Sequence, residues 1–346
     1  MDERRRKRSR RHGAAACAAL VFALSALLVP AGAVSAPDPG GEAQLLVPVG
    51  KAIGVKLFAE GVLVVGLSEN EGAVSPAKKG GMKAGDLILT MNDVTIGSTE
   101  HLQSLLAENG EREAAFGVRR GGRLVKLAVC PKKGQDGVCR LGAWIRDSMA
   151  GIGTVTYYDP ATGDFGALGH GITDGDTMAL MPFGSGSILP STVKAVKKGS
   201  SGSAGELRGN FDLSGDLGPL CANTDCGIFG TLPADCTLVA GEALPVGDAV
   251  EGPATIRANV SGDEVREYAV EILKRLPNAS DGREMVISVT DPDLIAATGG
   301  IVQGMSGSPI LQNGKLVGAV THVLLSDATK GYGISMETML NAGENV

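Results

Sequence analysis

Apolar positions in this chain fall in short runs broken by glycine, proline, asparagine or aspartate, the spacing of strands joined by tight turns. Gly61 to Gly66, Asp86 to Met91 and Arg123 to Val129 are such runs in the first half. Ala150 to Tyr158, Ala167 to Ile172, Met285 to Val289 and Lys315 to Val323 continue the pattern. Helical spacing occurs twice. Ser98 or Thr99 is placed as an N-cap ahead of Leu102, Leu105 and Leu106, and Asn109-Gly110 ends that segment. Asp263 to Leu276 sets Val265, Tyr268, Ala269, Ile272 and Leu276 on one helical face, which predicts a second helix. Many short strands with so few helices predict a mainly β protein built on closed barrels.

Composition sharpens this picture. With 43% hydrophobic residues but only 3% aromatic, and 51 glycines, the chain favours turn-rich β domains over a helical bundle. Its 346 residues leave room for two or three domains. Lys132-Lys133-Gly134-Gln135-Asp136-Gly137 is a polar break, placing one domain at 44–131 and a second at 138–346.

The formal charge is −6, yet Met1 to Arg11 alone nets +5, leaving −11 on the rest. An acidic body without a basic stripe excludes nucleic acid as a partner. Behind the basic cluster comes an apolar run, Ala14 to Val29, then Pro30 and small residues to Ala36. Residues 1–36 therefore read as a secretory signal or an uncleaved membrane anchor, with everything after them across the membrane. Residues 37–43 follow as a Pro/Gly-rich linker. Cys130, Cys139, Cys221, Cys226 and Cys236 remain in the exported part, with Cys130–Cys139 and Cys221–Cys226 spaced to close small loops. No histidine lies near either pair, so zinc is not implied, and no other cofactor is.

The chemistry concentrates in Gly304-Met305-Ser306-Gly307-Ser308-Pro309. Glycines around a serine leave its hydroxyl open and let the N–H groups of Gly304 and Ser306 converge on a developing oxyanion. Ser306 is preferred to Ser308, which precedes Pro309 and starts a strand. A serine hydroxyl needs a base and a group that orients the base. His12 precedes the apolar run and His101 belongs to the first domain, leaving His170 and His322. His170, in Gly169-His170-Gly171 at a strand end, is the expected base; His322 is expected to line a specificity pocket or satisfy a buried hydrogen bond. For the acid, Asp174, Asp176, Asp291 and Asp293 compete. Asp291 follows the Met285 to Val289 strand and is the choice, while Asp293 reads as the cap of a short turn from Leu294 to Ala297. The resulting chain order, His-Asp-Ser, is one of those used for the triad.

Ser75 to Leu89, with Lys78-Lys79-Gly80-Gly81-Met82-Lys83-Ala84-Gly85-Asp86 at its centre, resembles the signature of bacterial protease-associated PDZ domains. Ile53-Gly54-Val55 matches the hydrophobic-Gly-hydrophobic loop with which such domains capture a peptide carboxylate. By this resemblance the first domain binds a peptide or C-terminus; the chain's own terminal Val346 is compatible with that role, and His101 reads either as a ligand contact beside the groove or as a solvated residue of the first helical turn.

The second domain resembles the SpoIVB family, which joins a PDZ module to a chymotrypsin-like double β-barrel serine peptidase. The likeness rests on Trp144 to Thr154, Phe165 to Asp174, Thr298 to Ile310, Asn313 to Val323 and Gly331 to Ile334. It implies nucleophile, base and acid at Ser306, His170 and Asp291. It also implies a sporulation role: export from the forespore into the space between two membranes and cleavage of a membrane-anchored regulator. That cleavage releases an intramembrane protease that activates a late sigma factor, and the enzyme also processes itself. Two other readings compete, an HtrA-like quality-control protease and a PDZ peptide-binding protein with an inactive peptidase scaffold.

Overall fold

Two strands of 16 residues each, Ala52–Leu67 and Ala143–Tyr158, pair antiparallel over most of their length and run through two lobes of the molecule. At about 3.3 Å per residue each spans roughly 50 Å, more than one small core can cover. The computed structural model describes residues 44–70, 73–212, 215–233, 235–277, 279 and 282–344. The expected signal or anchor at 1–36, the linker at 37–43 and the terminal Val346 lie outside the described residues. Among the described residues no helix is long and apolar enough to cross a membrane.

The chain opens with β1 (Leu45–Pro48) and β2 (Ala52–Leu67). An excursion follows through β3 (Glu69–Asn70), β4 (Ala73–Val74), α1 (Pro76–Lys79), β5 (Leu87–Met91), β6 (Val94–Thr95), α2 (Thr99–Asn109), β7 (Ala114–Arg120) and β8 (Arg123–Val129). A small hairpin, β9 (Lys132–Lys133) with β10 (Cys139–Arg140), then leads into β11 (Ala143–Tyr158). This lobe closes on Val62, Val64, Ile88, Leu102, Leu106 and Phe116. Its helices start and stop where their caps dictate: Ser75 and Ser98 accept from the N–H groups of Lys78 and His101, and Gly110 ends α2 at φ 63°. Asp86 is wholly buried, and Arg120 compensates it through Nε and Nη2, both at 2.6 Å.

The first barrel adds β12 (Asp164–Ala167), β13 (Ser185–Lys197), β14 (Glu206–Phe211), β15 (Gly218–Thr224) and β16 (Gly227–Thr231). Its strands bond in the order β11-β12-β16-β15-β13-β2, and the β2–β11 pairing joins the ends into a ring around Ile53, Val55, Val155, Phe165, Ile188 and Ile228. Beside the ring, β1 lies between β11 and β17 (Leu244–Pro245), and β14 pairs β13 alone. The second barrel is β18 (Gly252–Ser261), β19 (Glu264–Arg275), β20 (Met285–Val289), β21 (Pro309–Gln312), β22 (Lys315–Val323) and β23 (Lys330–Ser335), closed in the order β18-β19-β20-β23-β22-β21. Between β20 and β21 lies α3 (Pro292–Thr298), and α4 (Met336–Glu344) packs Met336 and Met339 against Tyr157, Phe229 and Ile334. The fold is thus mainly β, a PDZ-bearing lobe followed by a chymotrypsin-like double barrel.

Three expectations change. The expected helix at 263–276 is instead strand β19 (Glu264–Arg275): Tyr268, Val270 and Ile272 point inward while Ala269, Glu271 and Leu273 are exposed. The apolar positions satisfy both periods over this window, and the flanking β18 and β20 supply the ladder bonds that decide between them. Ile53-Gly54-Val55 lies near the start of β2, with β11 on one side and β13 on the other, and is not a carboxylate-binding loop. Gly54 is needed there because a Cβ would lie 2.6 Å from Cδ1 of Phe211. The boundary at 131 also cuts across the strands. Residues up to Phe58 belong to the first barrel, while Ala143–Arg146 of the later segment flank Leu63–Leu67 of the first lobe.

Expressed alone, residues 44–131 would leave the apolar barrel half of β2 uncovered and the other half without its β11 neighbour. The expected outcome is a poorly dispersed amide spectrum and no cooperative melting. Sharp, dispersed resonances from that fragment would contradict the shared-strand architecture.

Candidate active site

The turn that carries Ser306 is held from both barrels. After α3, Gln303 forms a parallel bridge with Glu206 of β14, giving Gln303 N–H to Gly205 O at 2.9 Å and Leu207 N–H to Gln303 O at 2.8 Å. Gly304 and Gly307 then adopt φ values of 98° and 95°, in the region that favours glycine. At Gly307 space adds to the requirement, since a Cβ would stand 2.1 Å from Thr154 O and 2.5 Å from Leu168 N. That close approach brings the second-barrel turn against the loop that carries His170.

Ser306 is half-buried, and its Oγ donates to Thr321 O at 2.7 Å. The carbonyl of Ser306 accepts from Thr154 N–H at 3.0 Å, and that of Gly304 accepts from Thr154 Oγ1 at 2.7 Å. The N–H groups of Gly304 and Ser306 have no acceptor among the described residues. Ser308, wholly buried, directly precedes β21 as expected.

His170 follows β12 after an abrupt change of direction in which Leu168 and Gly169 both take positive φ, 70° and 68°. Gly169 lets the loop lie on β22, because a Cβ there would be 3.0 Å from Cγ2 of Thr321. The imidazole Nδ1 lies 2.8 Å from Gly171 O. Since a carbonyl can only accept, Nδ1 carries the proton and the lone pair sits on Nε2, the form a general base requires. Burial pushes the His170 pKa below its ordinary value, partly offset by the Gly171 bond. The ring of His322 lies 4.9 Å from that of His170, tilted by 36°, and His322 directly follows the residue that accepts from Ser306. Sequence reasoning left His322 to a pocket wall or a buried bond, whereas the fold packs it on the candidate base.

Asp291 is brought elsewhere. Its Oδ1 accepts from the N–H groups of Asp293 and Leu294 at 3.0 and 3.1 Å, and its Oδ2 from Ala269 N–H at 3.2 Å. It is the N-cap of α3, the role expected of Asp293, and the bond that orients His170 comes from the Gly171 carbonyl instead. The physical reason is local: with Pro292 in the first turn, an aspartate just before it is placed to satisfy the free N–H groups of the helix start. Asp174 is wholly buried and fixes the turn behind His170, accepting from the N–H groups of Asp176 and Thr177 and from Thr177 Oγ1, and pairing with Arg146. Burial raises its pKa, but the bonds from Thr177, Asp176 and Arg146 outweigh burial and hold it ionised.

Thr154 and Thr321 escaped the sequence reading, since a threonine within an apolar strand carries no signal of its own. His101 is exposed in the first turn of α2. The cysteines Cys130, Cys139, Cys221, Cys226 and Cys236 are all free thiols, so neither expected loop is bridged. Among the described residues no cluster of His, Cys, Asp and Glu is placed to hold a metal ion.

A PDZ domain family model matches residues 70–120, and a model for SpoIVB peptidase S55 matches residues 137–340, more than half of the chain. No curated protein matches this chain. Among solved structures, the Rv3671c protease from M. tuberculosis in its active form aligns at 14% identity over 58% of this chain and 74% of that one, with a TM-score of 0.30. The inactive form of that protease aligns at 15% identity over 56% and 82%, with a TM-score of 0.29. The PDZ domain of an SdrC-like protein from Listeria monocytogenes aligns at 16% identity over 25% and 87%, with a TM-score of 0.22. Alignments this loose carry no argument of their own. The family match over the double barrel does: this chain belongs to the SpoIVB peptidase S55 family of serine peptidases and carries a PDZ domain.

Proposed function

We propose that the chain is an endopeptidase in which Ser306 attacks the scissile carbonyl and His170 takes the hydroxyl proton and returns it to the leaving amine. The N–H groups of Gly304 and Ser306 stabilise the oxyanion. The observation that carries this reading is the contact of Gly307 with the Leu168 backbone, which brings the serine turn and the histidine loop together across the two barrels. For attack, the Ser306 hydroxyl must leave its acceptor Thr321 O, at 2.7 Å, for the Nε2 of His170. Gly171 O holds the imidazole tautomer, and Asp291 acts at a distance, by fixing the start of the helix that leads into the nucleophile turn.

The biological role follows the family. The substrate is a membrane-anchored regulatory protein whose cleavage activates an intramembrane protease and a late sigma factor in sporulation. The enzyme works across the cytoplasmic membrane, in the intermembrane space of the forespore, and processes its own N-terminal region. The PDZ-bearing lobe presents protein or peptide ligands to the double barrel. A second reading, a PDZ-bearing scaffold without activity, draws on the Ser306 hydroxyl donating to a carbonyl and on the commitment of Asp291 to a helix cap.

A fluorophosphonate probe separates the two readings. It is expected to label the wild-type chain at Ser306 and to leave Ser306→Ala unlabelled but equally folded; an unlabelled wild type supports the scaffold. Asp291→Asn keeps the acceptor oxygen of the cap, so labelling within about tenfold of wild type is expected. A loss near 10⁴, the size seen when a triad acid becomes an amide, would return Asp291 to the triad. Because the base must be neutral and burial lowers its pKa, activity is expected to hold as pH falls through neutrality. It should drop only when His170 gains a proton, at a midpoint below the ordinary imidazole value of about 6.5. A limb centred above pH 7 in the labelling rate would count against His170 as base.

A further inference from the structure

Thr154 lies in β11 and is 1% exposed, yet three of its groups each bind a different part of the site. Its N–H donates to Ser306 O at 3.0 Å, its Oγ1 donates to Gly304 O at 2.7 Å, and its own carbonyl accepts from Leu168 N–H at 3.1 Å. One residue of the first barrel thus grips the carbonyls on either side of Met305 in the second, and also the chain two residues before His170.

The side-chain bond does something that the two backbone bonds do not. Gly304 has no Cβ to restrict its ψ, so the Gly304–Met305 peptide depends on its own hydrogen bonds: Met305 N–H donates to Val302 O at 3.1 Å, and the carbonyl side is held by Thr154 Oγ1. The preceding peptide is tied separately, by Leu207 N–H to Gln303 O at 2.8 Å, which sets the direction of the Gly304 N–H. Thr154 Oγ1 ties the following one, and with it the path of the chain into Ser306. A β-branched residue is stiff about χ1, so the hydroxyl needs little further ordering to keep this aim.

We propose that Thr154 is a positioning residue for peptide hydrolysis: its hydroxyl locks the Gly304–Met305 peptide so that the N–H groups of Gly304 and Ser306 stay convergent on the oxyanion. It touches neither substrate nor the reacting atoms. The inference rests on the reading of Ser306 as nucleophile.

The test uses the full chain with p-nitrophenyl acetate, whose acetyl group requires no knowledge of sequence preference, together with the fluorophosphonate labelling rate and thermal melting. Thr154→Val keeps the shape and both backbone bonds but removes the donor. It is expected to lower kcat and the labelling rate about 10- to 100-fold with KM unchanged, a loss on the scale of a weakened oxyanion donor. Thr154→Ser restores the donor and is expected to return both rates to within about threefold of wild type. A wild-type rate in Thr154→Val beside an inactive Ser306→Ala overturns the proposal, as does an equal loss in the Val and Ser variants that tracks their melting temperatures. Should Thr154→Val not fold, Thr154→Cys offers a weaker donor at the same position, where an intermediate rate is expected and an undiminished one overturns the proposal. Undiminished hydrolysis in Ser306→Ala sinks the nucleophile assignment itself, and the inference with it.

Discussion

The antiparallel ladder between β2 and β11 is the constraint on which the rest of the molecule depends. It closes the first barrel by joining the two ends of the β11-β12-β16-β15-β13-β2 order, and it continues outward to flank the PDZ-bearing lobe. The strands bend where they pass from one core to the other: opposite Asp147 the register skips from Leu63 to Phe58, and Gly61 lets β2 approach Ile88 O, which would stand 2.4 Å from a Cβ. Asp147 also accepts from the N–H of Thr99 at the start of α2, so β11 is tied to the first lobe by a side chain as well as by its ladder. Seven residues further along the same strand, Thr154 grips the serine turn.

This arrangement explains how a site assembled from two barrels keeps its geometry. Histidine loop and serine turn meet backbone to backbone, at Leu168 and Gly307, where no side chain could be accommodated. The tip between β13 and β14 reaches over the second barrel, with Gly199 N–H on Thr298 O, Gly202 N–H on Leu325 O and Lys198 Nζ on Ala296 O. The turn is therefore braced from β11 below and from the β14 hairpin beside it. Orientation of the His170 imidazole by the Gly171 carbonyl puts its proton on Nδ1, and burial favours the neutral ring.

Much of this was legible in the order of residues. The cap at Ser98, the stop at Gly110 and the strands around Asp86, Arg123 and Lys315 follow from local chemistry that acts over a few residues. Ser306 and His170 were legible for the same reason, because small residues around a polar one mark a turn wherever it occurs. Two misreadings fell where a distant partner decides, and a third where a nearer local claim won. Val265, Tyr268 and Ile272 fit a helix equally well, and only β18 and β20 made that segment a strand. Ile53-Gly54-Val55 had the composition of a ligand loop, but β13 and β11 claim its backbone. Asp291 stood before both a proline and a plausible imidazole, and the helix start was the nearer claim.

By itself, then, the sequence determined most of the strands and turns, the PDZ and peptidase signatures, and which serine and histidine are the candidates for the site, since each depends on neighbours in the chain. Only the tertiary structure decided that one pair of strands serves two lobes, that His322 packs on His170 and that Thr154 joins the two barrels at the turn carrying Ser306. Those outcomes depend on hydrogen bonds and contacts between residues far apart in the chain, whose partners no local pattern of side chains can announce.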